Sequence, residues 1–125
     1  MDNIIYREES YQITGKCIEV HNELGPGFLE VVYKDALEIE FKRAGIPYER
    51  EKPYIVNYKG TILRHTFNAD FVVFDKIILE VKGVSTGLSD EFIAKCINYL
   101  KVSGDKLCLL VNFGEMRLNY KRLVL

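Results

Sequence analysis

Charged residues interrupt the most apolar part of the chain. Asp70 directly precedes the apolar residues 71–74, and Glu80 and Lys82 lie within the otherwise apolar residues 77–82. Short runs rich in Val, Ile and Phe predict two buried strands, which the few residues between them would join as a hairpin. Ionised side chains in buried strands are normally paired or bound to a metal. The fold must therefore supply a cation to these carboxylates.

The turn between the two strands decides how the acids are placed. Side chains alternate between the faces of a strand, so Glu80 and Lys82 share a face. A two-residue turn would set Asp70 opposite Val81, whereas a three-residue turn at residues 74–76 sets Asp70 opposite Glu80. In the second register the carboxylates lie about 5 Å apart and repel each other unless a cation separates them. The sequence leaves both registers open, and with them a weak surface pair of Glu80 and Lys82.

Composition indicates an ordinary globular protein. The chain has 125 residues, of which 48% are hydrophobic and 28% charged, so we expect residues 1–125 to form a single domain. No apolar run approaches the roughly 20 residues of a membrane-spanning helix. The acidic N-terminal residues do not resemble a signal peptide. We therefore expect a cytoplasmic protein without a membrane partner.

Charge and cysteine content restrict the function further. A net charge of −1 argues against avid, non-specific nucleic-acid binding by the whole surface, although a local basic patch remains compatible with it. The three cysteines, Cys17, Cys96 and Cys108, each lie among apolar residues at wide spacing, which predicts buried thiols rather than disulfides or a zinc cluster.

Periodicity predicts the elements. Helices are expected at residues 10–24, 29–44 and 90–103, with Tyr33, Leu37, Phe41 and Ala44 on the packed side of the second helix. Residues 25–27, Gly-Pro-Gly, should end the first helix, Gly45 should end the second, and Ser89 should cap the start of the third. Strands are expected at residues 48–51, 54–58, 61–66, 70–82 (the hairpin), 106–111 and 117–125. The apolar strand at 106–111 should be central and parallel to a neighbour, and the last strand should form an edge. This order predicts an α/β sandwich in which helices flank a central mixed β-sheet.

Residues 27–33 match the signature G-x-x-E-x-x-Y. With residues 68–70, the triplet Glu80-Val81-Lys82, and residues 98–101 and 110–113, the order and spacing resemble the GxxExxY family of small prokaryotic proteins. That family is placed in the PD-(D/E)xK nuclease superfamily. The resemblance extends from about Leu24 to Leu125.

The resemblance implies a restriction-endonuclease-like fold and a Mg²⁺-dependent nuclease that hydrolyses phosphodiester bonds in DNA or RNA. It implies that Asp70, Glu80 and the backbone carbonyl of Val81 bind Mg²⁺ or Mn²⁺, and we therefore expect the hairpin register in which Asp70 and Glu80 share one face. Lys82 would then orient or activate water, and Glu30 would add an acid from the second helix. The acid at Glu30 is also explained by its favourable place at a helix N-terminus.

Two positions depart from the superfamily pattern. Ala69 replaces a Pro that shapes the backbone, and Lys95 replaces a Gln that usually lies four residues before the tyrosine matching Tyr99. Lys95 and Tyr99 are expected to bind substrate from the third helix. Lys95 would either contact phosphate or pair with Glu80 in the place of the metal.

Two other functions remain compatible with the sequence. One is a catalytically weak nucleic-acid-binding or regulatory module that keeps the nuclease fold. The other is a protein-interaction unit, for example a homodimer formed through the edge strand at residues 117–125.

Overall fold

The computed structural model describes residues 4–125. The elements follow one another along the chain as α1 (Arg7–Leu24), α2 (Glu30–Ala44), β1 (Tyr48–Tyr58), β2 (Thr61–Val73), β3 (Ile77–Lys82), α3 (Asp90–Ser103), β4 (Leu107–Asn112) and β5 (Asn119–Val124).

The five strands form one mixed sheet in the order β1-β2-β3-β4-β5. β3 and β4 are parallel and connected by α3, and the other neighbours are antiparallel. α1 and α2 contribute to the apolar core on one face, and α3 covers the other face. The predicted architecture, a central mixed sheet flanked by helices, is confirmed, as are the central parallel strand and the edge strand β5.

The helix ends follow the predicted signals. Gly27, in the turn between α1 and α2, has a φ of 109°, a conformation that residues with a Cβ rarely adopt. Gly45 ends α2 in the left-handed conformation, and the hydroxyl of Ser89 accepts the Phe92 N–H at the start of α3. One prediction is wrong: Ala44 is exposed, because α2 ends there and its last turn leaves the core.

The first two strands are longer than predicted. Residues 48–58 form one strand that includes Pro53, which is tolerated because β1 lies at the edge of the sheet. Residues 61–73 likewise form one strand, since β2 stays paired with β1 on both sides of Asn68. The predicted breaks at 52–53 and 67–69 are therefore absent from these two strands.

The β2–β3 connection adopts the three-residue register. Phe74 and Asp75 both have positive φ values, 56° and 59°, and Val73 pairs with Ile77. The pairing continues to Phe71 and Leu79. The next opposed pair is Asp70 with Glu80, so the register that brings the two acids together is confirmed.

All three cysteines are buried as free thiols, as predicted. None of the helices in residues 4–125 is long and apolar enough to cross a membrane.

Candidate active site

β2 and β3 separate at the point where the two acids face each other, and the carboxylates take over the hydrogen bonds of the ladder. The Val81 N–H donates to Asp70 Oδ2 at 2.8 Å, and the Asp70 N–H donates to Glu80 Oε1 at 3.1 Å. Each acid therefore satisfies a backbone donor of the opposite strand that would otherwise lack a partner. These bonds fix both carboxyl groups in the gap between the strands.

Glu80 lies in an environment that opposes its ionisation. Glu80 is only 3% exposed. Burial, followed by the negative charge of Asp70, raises the pKa of Glu80 to about 9. In the absence of a bound cation, the pair therefore carries a proton on Glu80 at neutral pH.

The cation that the structure places beside Asp70 is Lys34. Its Nζ donates to Asp70 Oδ1 at 2.9 Å and also contacts the Glu51 carboxylate. Burial disfavours the charged form of Lys34, but hydrogen bonds to Glu51 and Asp70 outweigh it and raise the pKa of the ammonium. Glu51 adopts a positive φ of 56° within β1, opposite Asp70. A three-residue ion cluster thus adjoins the carboxyl pair.

The sequence interpretation missed Lys34, although a signal was present. Lys34 follows Tyr33 and lies one helical turn from Glu30, so it falls on the packed side of α2 with Leu37. A lysine on a buried stripe requires an acidic partner inside the protein. That requirement indicates an acidic partner without identifying it, and the structure shows the partners to be Asp70 and Glu51.

Lys82, two residues beyond Glu80 on β3, and Lys95 line a cleft. The cleft measures about 460 Å³ and lies against α3, where Phe92 and Asn98 also line it. The Lys82 ammonium lies 4.6 Å from the centroid of the Phe92 ring. The exposed Lys95 lies 5.8 Å from the Tyr99 ring. In residues 4–125, the lysine that pairs with a site carboxylate is Lys34 on α2 and not Lys95 on α3.

Glu30 lies at the far end of β3 from the turn. Its Oε2 accepts the Gly83 N–H at 3.4 Å, one residue beyond Lys82. Tyr33 is fully buried, donates to the Gly25 carbonyl at 2.6 Å and stacks on Phe113, so it is a core residue as expected. Glu30 therefore approaches the strand that carries Glu80, but its recorded partner is a backbone amide.

Tyr99 and Asn112 hold the backbone around the site. The Tyr99 ring is 2% exposed, and its hydroxyl donates to the Asn68 carbonyl at 2.9 Å, two residues before Asp70. Asn112 is fully buried and bonds both the N–H and the carbonyl of Val84, just after β3. Asn112 was not singled out from the sequence. These two side chains fix the segments on which Asp70 and Lys82 lie.

The donors in the gap suit a hard divalent cation. Among residues 4–125 no group of three or more His, Cys, Asp or Glu side chains is placed to hold a metal. Mg²⁺ needs only one or two carboxylates, because water completes its shell. Asp70 and Glu80 provide that number, and a divalent cation would relieve the repulsion that raises the pKa of Glu80. The residues fit Mg²⁺ or Mn²⁺, with Lys34 as a competing positive charge.

Comparisons with known proteins agree with the fold. The model of the PD-(D/E)XK nuclease superfamily matches residues 7–123. No curated protein matches the chain by sequence. Similar solved structures include SSO0001, with a TM-score of 0.62 and 17% identity over 95% of this chain and 60% of that one. They also include an alkaline exonuclease (LHK-Exo) from Laribacter hongkongensis, with a TM-score of 0.54 and 13% identity over 99% of this chain and 72% of that one. The chain spans 60% of the length of SSO0001.

The raised pKa of Glu80 predicts a pH dependence of stability. Between pH 4.5, the ordinary pKa of a glutamate carboxyl group, and about pH 9, its pKa in the folded chain, Glu80 keeps a proton that the unfolded chain releases. In chelator, the contribution of Glu80 to the free energy of unfolding should therefore decrease as the pH rises through this window. The glutamine of Glu80→Gln does not titrate. In denaturant titrations, the free energy of unfolding of this variant relative to the wild type should therefore increase from about pH 5 to about pH 9. Glu91→Gln, at an exposed acid, is the control, and a constant difference for Glu80→Gln would refute the assignment.

Replacing Lys34 should destabilise the fold. Lys34→Met leaves Asp70 and Glu51 without their cation, and we expect a loss of about 1–3 kcal/mol in chelator, less than for a fully buried pair because Glu51 is half exposed. Lys42→Met removes an exposed lysine of the same helix and should cost under about 0.5 kcal/mol. Excess Mn²⁺ should restore part of the loss in Lys34→Met only. Equal losses in the two variants would show that Lys34 is an ordinary surface lysine.

Proposed function

The chain belongs to the PD-(D/E)XK nuclease superfamily, and we propose that it is a Mg²⁺- or Mn²⁺-dependent nuclease that hydrolyses phosphodiester bonds in nucleic acid. The observation that carries the proposal is the facing pair of carboxyl groups, Asp70 and Glu80, at the point where β2 and β3 separate. Within the superfamily we assign the chain to the GxxExxY family on the signature at residues 27–33, with residues 1–125 as one nuclease domain.

We assign the metal to Asp70, Glu80 and the carbonyl of Val81. PD-(D/E)XK nucleases usually use divalent metals. When bound, the cation supplies Lewis-acid activation of water and of the scissile phosphate. The backbone N–H groups of Val81 and Asp70 keep the two carboxylates oriented before the cation binds. This orientation of the two carboxyl groups supports the assignment, and binding of the cation requires Lys34 to release its contact with Asp70 Oδ1.

Lys82 is the proposed catalytic cation. It shares a face of β3 with Glu80, and contact with the Phe92 ring keeps its ammonium at the cleft wall. There the ammonium can stabilise the negative charge that develops on the phosphoryl oxygens during attack. It can also orient the attacking water by donating a hydrogen bond.

The remaining residues are assigned to substrate and support. Lys95, exposed in the same cleft as Lys82, would contact a phosphate of the nucleic acid. Glu30 would act through water or a second cation near Gly83. Tyr99 was expected to bind substrate, but its buried ring and its bond to Asn68 favour a positioning role for the segment that carries Asp70.

The Lys34 cluster favours a second candidate function. A resident ammonium on Asp70 already supplies positive charge to the site, which lowers the advantage of a divalent cation. A nucleic-acid-binding module with weak or no cleavage follows if Lys34 keeps its contact in the presence of metal. Cleavage assays on single- and double-stranded DNA and RNA, with Mg²⁺ or Mn²⁺ against chelator, separate the two functions.

Metal binding should raise the melting temperature. Because Mn²⁺ binds the folded state and not the unfolded state, saturating Mn²⁺ should stabilise the wild type by linkage. Asp70→Asn should abolish this increase. Asp75→Asn, at the turn of the same hairpin, should leave it intact. A full increase in Asp70→Asn, measured by differential scanning fluorimetry, would exclude Asp70 as a ligand.

Loss of Lys82 should affect cleavage and not folding. Lys82→Ala should lower the cleavage rate by about 10² or more, since a stabiliser of the transition state is lost. Its melting temperature and its response to Mn²⁺ should stay near those of the wild type. Lys101→Ala, at the end of α3, is the control for loss of a charge. If Lys82→Ala unfolds to the same extent that it loses activity, Lys82 has a structural role instead.

A further inference from the structure

The first half of β2 and the second half of β1 form a hairpin that extends beyond the site. β2 pairs with β3 only at residues 71–73, whereas it pairs with β1 as far as Tyr58 and Thr61. The two strand segments within residues 55–66, here called the arm, therefore pair with each other and with no third strand. At about 3.3 Å per residue the arm extends roughly 17 Å.

The arm projects from the same end of the sheet as the site. β2 and β3 are antiparallel, so the part of β2 before Asp70 continues past Lys82, where β3 ends. The residues at the base of the arm, His65 and Thr66, line a cleft of about 410 Å³ together with Lys95. Lys95 also lines the cleft that contains Lys82. A ligand lying along the arm would thus reach the cleft of Lys82, which lies two residues beyond Glu80 on β3.

The charge of the arm differs from that of the whole chain. The chain has 18 acidic and 17 basic residues, yet no acid occurs from Lys52 to Ala69. This stretch contains Lys59 at the tip and Arg64 on β2. In the described residues neither of them belongs to an ion pair. The arm therefore carries positive charge that the protein itself does not neutralise.

The arm is also preformed and partly apolar. Lys59 and Gly60 have positive φ values of 50° and 85°, as in the tight turns whose twist matches a β-ribbon, and the Gly60 N–H donates to Asn57 Oδ1 at 2.8 Å. Four large apolar side chains of the arm are exposed by 41% to 59%: Ile55, Tyr58, Ile62 and Leu63. Such side chains are suited to contact base edges and sugars once the basic residues have engaged phosphate.

We propose that the arm is a duplex-DNA-binding ribbon, which lies in the major groove and guides the duplex to the cleft. The major groove of B-form DNA is about 12 Å wide and admits a two-stranded ribbon. The deep, narrow major groove of A-form RNA does not admit side chains in this way. Lys59 and Arg64 would contact phosphates on the two sides of the groove. This inference rests on the proposed nuclease function.

The test measures binding without cleavage. Fluorescence anisotropy with a labelled duplex of about 24 base pairs, in chelator and over a range of salt, gives the affinity and its salt dependence. The arm variant Lys59→Glu/Arg64→Glu should bind at least about tenfold more weakly, and Lys59→Ala/Arg64→Ala should lower the salt slope by about 2. The matched control is Arg117→Glu/Lys121→Glu, just before and within the opposite edge strand β5, which should bind within about twofold of the wild type.

The outcomes separate this inference from the proposed function. If the wild type cleaves DNA and the arm variants bind and cleave like it, the arm inference fails while the nuclease function stands. If the wild type neither binds nor cleaves any nucleic acid, both fail. The groove assignment is overturned if the control variant loses as much DNA affinity as the arm variant. It is also overturned if the arm binds duplex RNA as tightly as duplex DNA. If the arm variant differs from the wild type in sedimentation mass but not in DNA affinity, the arm is instead a self-association surface.

Discussion

The structure depends on the exchange of backbone hydrogen bonds for carboxylate bonds between β2 and β3. Beyond Phe71 and Leu79 the ladder stops, and the buried N–H groups of Asp70 and Val81 would be unpaired without an acceptor. The side chains of Glu80 and Asp70 provide it. The same two bonds therefore keep the strands apart, satisfy the backbone and hold two acids at the mouth of the gap. An apolar residue at either position would leave one of these N–H groups without an acceptor. The acids therefore have a structural role as well as a proposed chemical one.

The electrostatics of the site follow from this arrangement. Two carboxylates in a buried gap cannot both ionise without a cation, and the protein responds in two ways. Glu80 keeps its proton, and Lys34 reaches across from α2 to Asp70. If Lys34, Glu51, Asp70 and Glu80 are all ionised, the four groups carry a formal charge of −2, which one divalent cation balances. A doubly charged ion would therefore match the charge of the fully ionised site, and in this structure Lys34 is the cation that contacts Asp70.

Much of the fold was accessible from the sequence because it depends on local patterns. Helical periodicity, the glycines that end α1 and α2, and the continuous apolar run of β4 each identify an element and its place. Local patterns left the register of the β2–β3 hairpin open, because it depends on two residues, Phe74 and Asp75, adopting left-handed conformations that their types do not require. The candidate site was predicted through Asp70, Glu80 and Lys82. Lys34 was missed because its significance lies in a contact with Asp70, 36 positions away in sequence.

The position of the arm connects the fold to the charge of the chain. A protein with a net charge of −1 has no strong overall attraction to nucleic acid. Because long-range repulsion and attraction nearly cancel, association then depends on where the unpaired cations are. The acids of α2 and β1 hold Arg50 and Lys34 within the body of the protein. The acid-free arm keeps its cations exposed at the end of the sheet where the carboxyl pair lies. A polyanion attracted to the arm, as proposed, would therefore lie near the end of the sheet where β2 and β3 separate.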